Sequence, residues 1–279
     1  MGRLSITAGM SDFFQSDQGR VDHHPFRGRA LGRLRDAALD LGLALSGGSR
    51  ELARLAAAVP PRRVLTVGVA APSRPGQMEA VVSHLSDTRH EVAVSVVPMA
   101  PMSKFQNVTR ALEAAPAPAH SYDWVFITDD DVGLPPGFTD RFVGLLERGG
   151  FQIAQPAHRF FSYSSYVATQ RRWGSLARET RFVEIGPLTA VRGDVIGALM
   201  PFPVSRWDWG LDVHWAQIAR DRGWRIGVLD GTPIEHRQPV AGSYDWRAAV
   251  ADGEAFLARN GVTMTRAECF AEDRIVIPW

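Results

Sequence analysis

Trp124-Val125-Phe126-Ile127-Thr128-Asp129-Asp130-Asp131-Val132 is a short apolar run that stops at three consecutive acids. The run lacks helical period and is rich in β-branched and aromatic side chains, which predicts a buried strand. Three adjacent carboxylates repel one another unless a cation or solvent offsets the charge, and hard divalent cations prefer oxygen ligands. In open α/β sheets, ligands bind beyond the carboxyl ends of strands. The acids therefore stand where a metal-bound phosphate is expected; the alternative for them is a solvated acidic turn.

The flanking sequence alternates between strand and helix patterns. Upstream, Val64–Val69 and Val92–Val97 read as strands, and Met78, Val81, Val82 and Leu85 form a helical stripe between them. Phe105, Val108, Ala111 and Leu112 mark a helix before the acidic strand. After it, Pro135-Pro136-Gly137 leads into a helix carrying Phe138, Phe142, Leu145 and Leu146. This alternation predicts an α/β domain with a mostly parallel central sheet flanked by helices. Ile153-Ala154, Phe182–Ile185 and Arg225–Leu229 read as further strands, and Leu211, Trp215, Ile218 and Ala219 as a helix. Pro60-Pro61 sets a boundary between an N-terminal arm and helical extension, residues 1–59, and the domain, residues 60–279. Residues 1–27 are polar, and His23-His24 reads as a surface pair. In residues 28–58, Leu31, Leu34, Ala38, Leu41 and Leu45 recur at helical spacing beside Arg29, Arg33 and Arg35. This helical region is expected to pack on the domain or on a second subunit, making it the expected homodimer contact. A membrane surface is the alternative.

With 279 residues the chain is long enough for one large α/β domain. A formal net charge of +1 excludes a nucleic-acid-binding polyelectrolyte surface. One cysteine excludes an internal disulfide framework and fits a reducing compartment. No apolar run is long enough to span a bilayer and the N-terminus lacks a signal-peptide core, so a cytoplasmic chain, with peripheral membrane contact as the alternative, is expected.

Four further motifs carry chemistry. The loop Ala70-Ala71-Pro72-Ser73-Arg74-Pro75-Gly76 can bring backbone near a nucleotide, which makes Ala70 and Arg74 candidate contacts. It is neither a P-loop nor a dinucleotide glycine loop. Lys104 and Asn107 share one side of a first helical turn, a plausible phosphate site or an ordinary capped start. Trp207-Asp208-Trp209-Gly210-Leu211-Asp212 puts Asp212 in a first helical turn, where acids are also common for capping and dipole reasons. The two tryptophans suit a core or a flat sugar platform. His236, with Ile234-Glu235 before it, reads as following the last clear strand; imidazole plus carboxylates suits Mn²⁺-type ions.

In this order the motifs resemble those of the GT-A glycosyltransferases, over roughly residues 62–240. The segment looks like glycosyltransferase family 2, and Trp-Asp-Trp-Gly-Leu-Asp is similar to the Trp-Gly-Gly-Glu-Asp block of galactosyltransferases; a domain of unknown function with a DDD…WGLD…H order looks closer still. The resemblance implies a GT-A fold and transfer of a sugar from a nucleoside-diphosphate sugar, a UDP-sugar first, to a glycan, natural-product or other small-molecule hydroxyl. It implies Mn²⁺ or Mg²⁺ on Asp131, with Asp129 as a ligand or ribose contact and His236 completing the shell. Asp130 then touches the donor sugar or serves as an alternative ligand, Lys104 and Asn107 lie near the nucleotide, and Asp212 is the base of an inverting displacement, with a retaining route as the alternative; it is expected to be ionised at neutral pH because a helix N-terminus lowers its pKa. Leu211 departs from the galactosyltransferase pattern, and Val97-Pro98-Met99 lacks the usual acid after strand two. Competing readings are a sugar-1-phosphate nucleotidyltransferase, a metal-dependent phosphohydrolase drawing on Asp194, Asp208 and Asp230, and a non-catalytic nucleotide-sugar-binding protein. The aromatic stretch Phe160–Tyr166 and Arg171-Arg172-Trp173 suit an acceptor wall, a lid or a packed loop.

Overall fold

A computed structural model describes residues 26–239, 244–271 and 273–279. The arm before residue 26, including His23 and His24, lies outside them. Two helices, α1 (Phe26–Leu45) and α2 (Gly48–Ala58), precede the sheet. β1 (Arg63–Ala70), α3 (Gln77–Ser86), β2 (Glu91–Pro98), α4 (Lys104–Glu113) and β3 (Trp124–Thr128) follow as the sequence predicts. Every residue of β3 is buried, as its uninterrupted apolar run requires. Then come β4 (Val132–Gly133), α5 (Phe138–Gly149), β5 (Ile153–His158), β6 (Ser175–Thr180), β7 (Leu188–Arg192) and α6 (Gly193–Ile196). The chain ends with α7 (Leu211–Arg222), β8 (Ile226–His236), α8 (Trp246–Arg259), α9 (Arg266–Cys269) and β9 (Arg274–Pro278).

The fold is α/β, a central sheet flanked by helices. Its strand order is β2-β1-β3-β7-β5-β8-β6-β9, with β4 paired to β8. The sheet is mixed rather than mostly parallel. β2-β1-β3 are parallel, as is β5-β8, but β7 runs antiparallel to both β3 and β5, and β6 antiparallel to β8 and β9. The βαβ rhythm that forces parallel pairing stops after β3, and later strands are joined by connections free to reverse direction. Phe182–Ile185, read as a strand, joins no ladder; the Glu184 N–H donates to the Gln155 side chain instead.

Two apolar clusters fill the two faces of the sheet. Phe105, Val108, Leu211 and Trp215 pack with Val125 and Ile127 on one; Leu52, Leu55, Phe142 and Leu145 pack with Trp124 and Phe126 on the other. α2 is thus embedded in the core. α1 lies outside it. Its expected apolar stripe, Leu31, Leu34, Leu41 and Leu45, faces solvent at 52 to 79% exposure. The face packed on the domain instead carries Gly32, Asp36 and Leu39. Asp36 and Arg171, both buried, pair at 3.1 Å. Three arginines of this helix lie over the aromatic stretch, Arg29 over Tyr163, Arg33 over Phe161 and Arg35 over Phe160, at 5.1, 5.5 and 5.7 Å. Phe160, Phe161 and Tyr163 therefore form a packed seat for α1. Among the described residues, no helix is long and apolar enough to cross a membrane.

Candidate active site

The acids at the end of β3 open into a cavity of about 670 Å³ lined by residues from every motif after the first strand. Asp129, half-buried, meets the Lys104 ammonium at 2.6 Å. The backbone N–H of Asp129 donates to the Pro187 carbonyl at 2.8 Å, which fixes where β3 ends. Asp130 turns back toward the first loop, where it accepts from the Ala71 N–H at 3.1 Å and pairs with Arg74 at 2.5 Å. Burial raises the Asp130 pKa against the pull of these donors. Its role in this geometry is to hold the loop, with Arg74 reaching on toward Asp131 at 3.9 Å.

Asp131 and His236 are brought together by the two residues of β4. Val132 pairs with His236, and the Arg237 N–H donates to the Asp131 carbonyl at 3.0 Å. The sequence places His236 after a strand; β8 in fact runs through it. His236 Nε2 lies 3.3 Å from the Asp131 carboxylate. Burial alone would raise the Asp131 pKa, but the hydrogen bond and charge of His236, with Arg74 and Lys104, outweigh it and hold the carboxyl low. His236 moves the other way: burial favours neutral imidazole, yet Asp131, then Asp129 and Glu184, raise its pKa. Asp129, Asp131 and His236 each offer a ligand atom, all within 4.8 Å of one another. His236 Nδ1 is buried and has no hydrogen-bond partner among the described residues. Two carboxylates and an imidazole fit Mn²⁺ or Mg²⁺ in number and kind, and leave positions for phosphate oxygens.

Asp212 reaches the same cavity from the first turn of α7. Gly210 enters that helix at φ 91°, a left-handed conformation that favours glycine. The preceding Asp208, at φ 60°, accepts from the Phe105 N–H at 2.9 Å, so this loop is tied to the α4 turn carrying Lys104. The Asp212 pKa is pushed up to about 7, first by burial and then by repulsion from Glu184, against hydrogen bonding from the Val213 N–H. This corrects the expectation that the helix N-terminus would dominate and lower it. Desolvation of a carboxylate exceeds what one helix end returns.

Glu184 is the cavity residue that sequence reasoning missed as chemistry, treating it as part of a strand. Its carboxylate accepts from Thr169 Oγ1 at 3.2 Å and the Ser165 N–H at 3.3 Å, and lies 3.5 Å from His158 Nε2. Burial opposes its ionisation, but His158, His236 and Ser165 lower its pKa overall. A glutamate inside a ladder-like apolar run was the available signal. The cavity thus holds two carboxylates pushed apart in pKa, a pattern that separates acid–base roles.

Other candidates fall elsewhere. Asn107 is buried outside the cavity lining, where its side chain binds Ala100, Met102 and Ser103 backbone and Arg110. Ala70 ends β1 without lining the cavity, although its neighbours Val69 and Arg74 do. Trp207 and Trp209 both line it: Trp207 stacks near Tyr244 with ring centroids 6.0 Å apart, and Trp209 Nε1 donates to the Tyr244 hydroxyl at 2.9 Å. Asp194 pairs with Arg192 and Asp230 with Arg178, which removes two acids from the phosphohydrolase ligand set.

No family model matches the chain, and no curated protein sequence matches it. Among solved structures, it is similar to GalNAc-T7 with UDP, GalNAc and Mn²⁺, at 9% identity and a TM-score of 0.49, over 66% of this chain and 45% of that one. It is also similar to A197 from STIV, at 15% identity and a TM-score of 0.42, over 62% of this chain and 85% of that one. The chain spans less than half the length of the GalNAc-T7 chain it matches.

Proposed function

We propose that the chain is a metal-dependent glycosyltransferase of the GT-A class, moving a sugar from a nucleoside-diphosphate sugar, a UDP-sugar first, to an acceptor hydroxyl. One observation carries this reading: a single cavity unites a cation-capable set, Asp129, Asp131 and His236, with a carboxyl at Asp212 that titrates at about pH 7. These three residues would hold Mn²⁺ or Mg²⁺, which would supply Lewis-acid neutralisation of a departing diphosphate. Lys104 and Arg74 add positive charge on the same side, and backbone of the first loop, fixed by Asp130, offers contacts to the nucleotide. Trp207 and Trp209 give flat apolar surface for a sugar ring.

Asp212 takes the acceptor proton as the hydroxyl attacks the anomeric carbon and the carbon–diphosphate bond breaks, a single displacement with inversion. A carboxylate with its pKa near 7 is a stronger base than an ordinary one and is still ionised in half the molecules at neutral pH. Glu184, held ionised by its own donors, keeps Asp212 basic and can orient the acceptor hydroxyl.

A thermal-shift panel of nucleotide sugars, with and without Mn²⁺, tests the reading. At a hundredfold excess over Kd, a bound donor should stabilise the fold by about 2.7 kcal/mol. The shift should require the cation and vanish in Asp131→Asn. Full Mn²⁺-dependent stabilisation of that variant would remove Asp131 as a ligand. Cation-dependent donor binding with neither hydrolysis nor transfer would favour a binding protein over an enzyme.

A further inference from the structure

We infer that α1 is a dimerisation helix whose partner is α1 of a second copy of this chain. Leu31, Leu34, Ala38, Leu41 and Leu45 follow a strict three-four-three-four spacing, the a/d repeat of a coiled-coil seam rather than the broader stripe of a helix packed on a domain. Ala30, Ala37 and Ala44 repeat at sevens beside it, at the flanking g positions. All eight residues are exposed.

The ridge cannot turn inward. A Cβ on Gly32 would lie 2.7 Å from the Phe160 backbone, and one on Gly42 2.4 Å from the Trp173 ring, so this face is already seated as closely as glycine permits. The buried Asp36–Arg171 pair locks the same rotation. The helix therefore presents its apolar ridge outward by construction, and isolated patches of this kind mark interaction sites.

Charge and size select the occupant. A helix lying on an anionic membrane needs cations flanking its apolar face along its length, but residues 36–45 of α1 carry no lysine or arginine and two aspartates, Asp36 and Asp40. A self-pair has no such need. Antiparallel pairing also sets the arginine-rich first half of one α1 away from that of its partner and opposes the helix dipoles. From Ala30 to Leu45 the ridge runs about 24 Å at ~1.5 Å per residue. Two such ridges bury on the order of 1,000 Å², the lower bound for a specific interface. Because α1 is already formed and docked, pairing carries little ordering cost, which suits a reversible dimer of modest affinity. Small residues at Ala38 and at the g positions let the two axes approach closely.

Sedimentation velocity of the full chain from micromolar to hundred-micromolar concentration tests this. The expected result is a concentration-dependent species of twice 30.6 kDa. Leu34→Glu with Leu41→Glu should give monomer at every concentration with an unchanged circular-dichroism spectrum. Leu34→Ser with Leu41→Ser serves the same purpose if the charged pair misfolds. Ala38→Cys should form an intermolecular disulfide under mild oxidation, since the native Cys269 is buried. A wild-type monomer throughout overturns the inference, whether residues 1–25 cover the ridge, as release of a dimer on their deletion would show, or anionic vesicles bind it. A dimer that survives the substitutions also overturns it.

Discussion

Asp212→Asn should lower sugar transfer by about 10²–10⁴-fold while leaving cation-dependent donor binding close to wild type. The substitution keeps the shape of a residue set in the first turn of α7 and removes only its capacity to take a proton. Because the carboxyl titrates at about pH 7, wild-type kcat/KM should rise with pH along a limb centred there. Glu184→Gln removes a repelling charge and should move that limb to lower pH. The same group makes a stability prediction whose sign is fixed by linkage. An unfolded aspartate titrates near ~3.9, so between that pH and about 7 the native state holds the extra proton. Stability must then fall as pH rises through this window. Asp212→Asn abolishes the fall, so the variant should exceed wild type in unfolding free energy at pH 8, by on the order of 4 kcal/mol, with a correspondingly higher Tm, and lose that advantage at pH 4. Near-normal transfer by the variant would exclude Asp212 as base, and a Tm difference independent of pH would exclude its protonation in the native state.

The second large effect lies away from the cavity. Arg178 points from β6 into the protein at 3% exposure, 3.1 Å from the Asp230 carboxylate; it also pairs with Asp273 and donates to the Gln170 carbonyl at 2.6 Å. Asp230, 2% exposed, also accepts from the Arg172 N–H at 3.0 Å. Asp230→Ala leaves a buried guanidinium short of its main counter-charge, and such losses cost about 3–5 kcal/mol. For a chain of this size that is a fall in Tm of roughly 10 °C. The pair replacement Arg178→Met with Asp230→Leu removes both charges and should recover much of the loss. Equal melting of Asp230→Ala and wild type would show that solvent or Asp273 already carries the charge.

Arg178 also explains why part of the fold was illegible in the sequence. Ser175–Thr180 carries Arg178 and Glu179 where a buried strand is read from apolar residues, and only the spatial arrival of Asp230 makes the arginine an interior group. β7 and β9 are each five residues with polar or charged members, Thr189 and Arg192 in one and Arg274 in the other, which blurs their pattern. By contrast β1, β2, β3 and α7 carry clear apolar signals, and the sequence places them well. The α1 ridge shows a subtler failure. Its periodicity is read correctly, but its apolar side is the solvent side, because glycines and a buried ion pair provide the docking face. At the site, residue types and order were legible. The Asp131–His236 contact was not, since it depends on a two-residue ladder between β4 and β8. Nor was the state of Asp212, which is set by desolvation and by a glutamate 28 positions earlier (212 − 184).

In the proposed reading, that two-residue ladder would make a bound cation a clasp between distant segments of the chain. Asp131 and His236 stand 105 positions apart (236 − 131), joined locally by the Val132–His236 register and the Arg237 N–H bond to Asp131. Ion binding and closure of this bridge are then one equilibrium, and each must strengthen the other. Amide hydrogen exchange at Arg237 reports it directly: adding Mn²⁺ should slow that single proton, and Asp131→Asn should make its exchange indifferent to the ion.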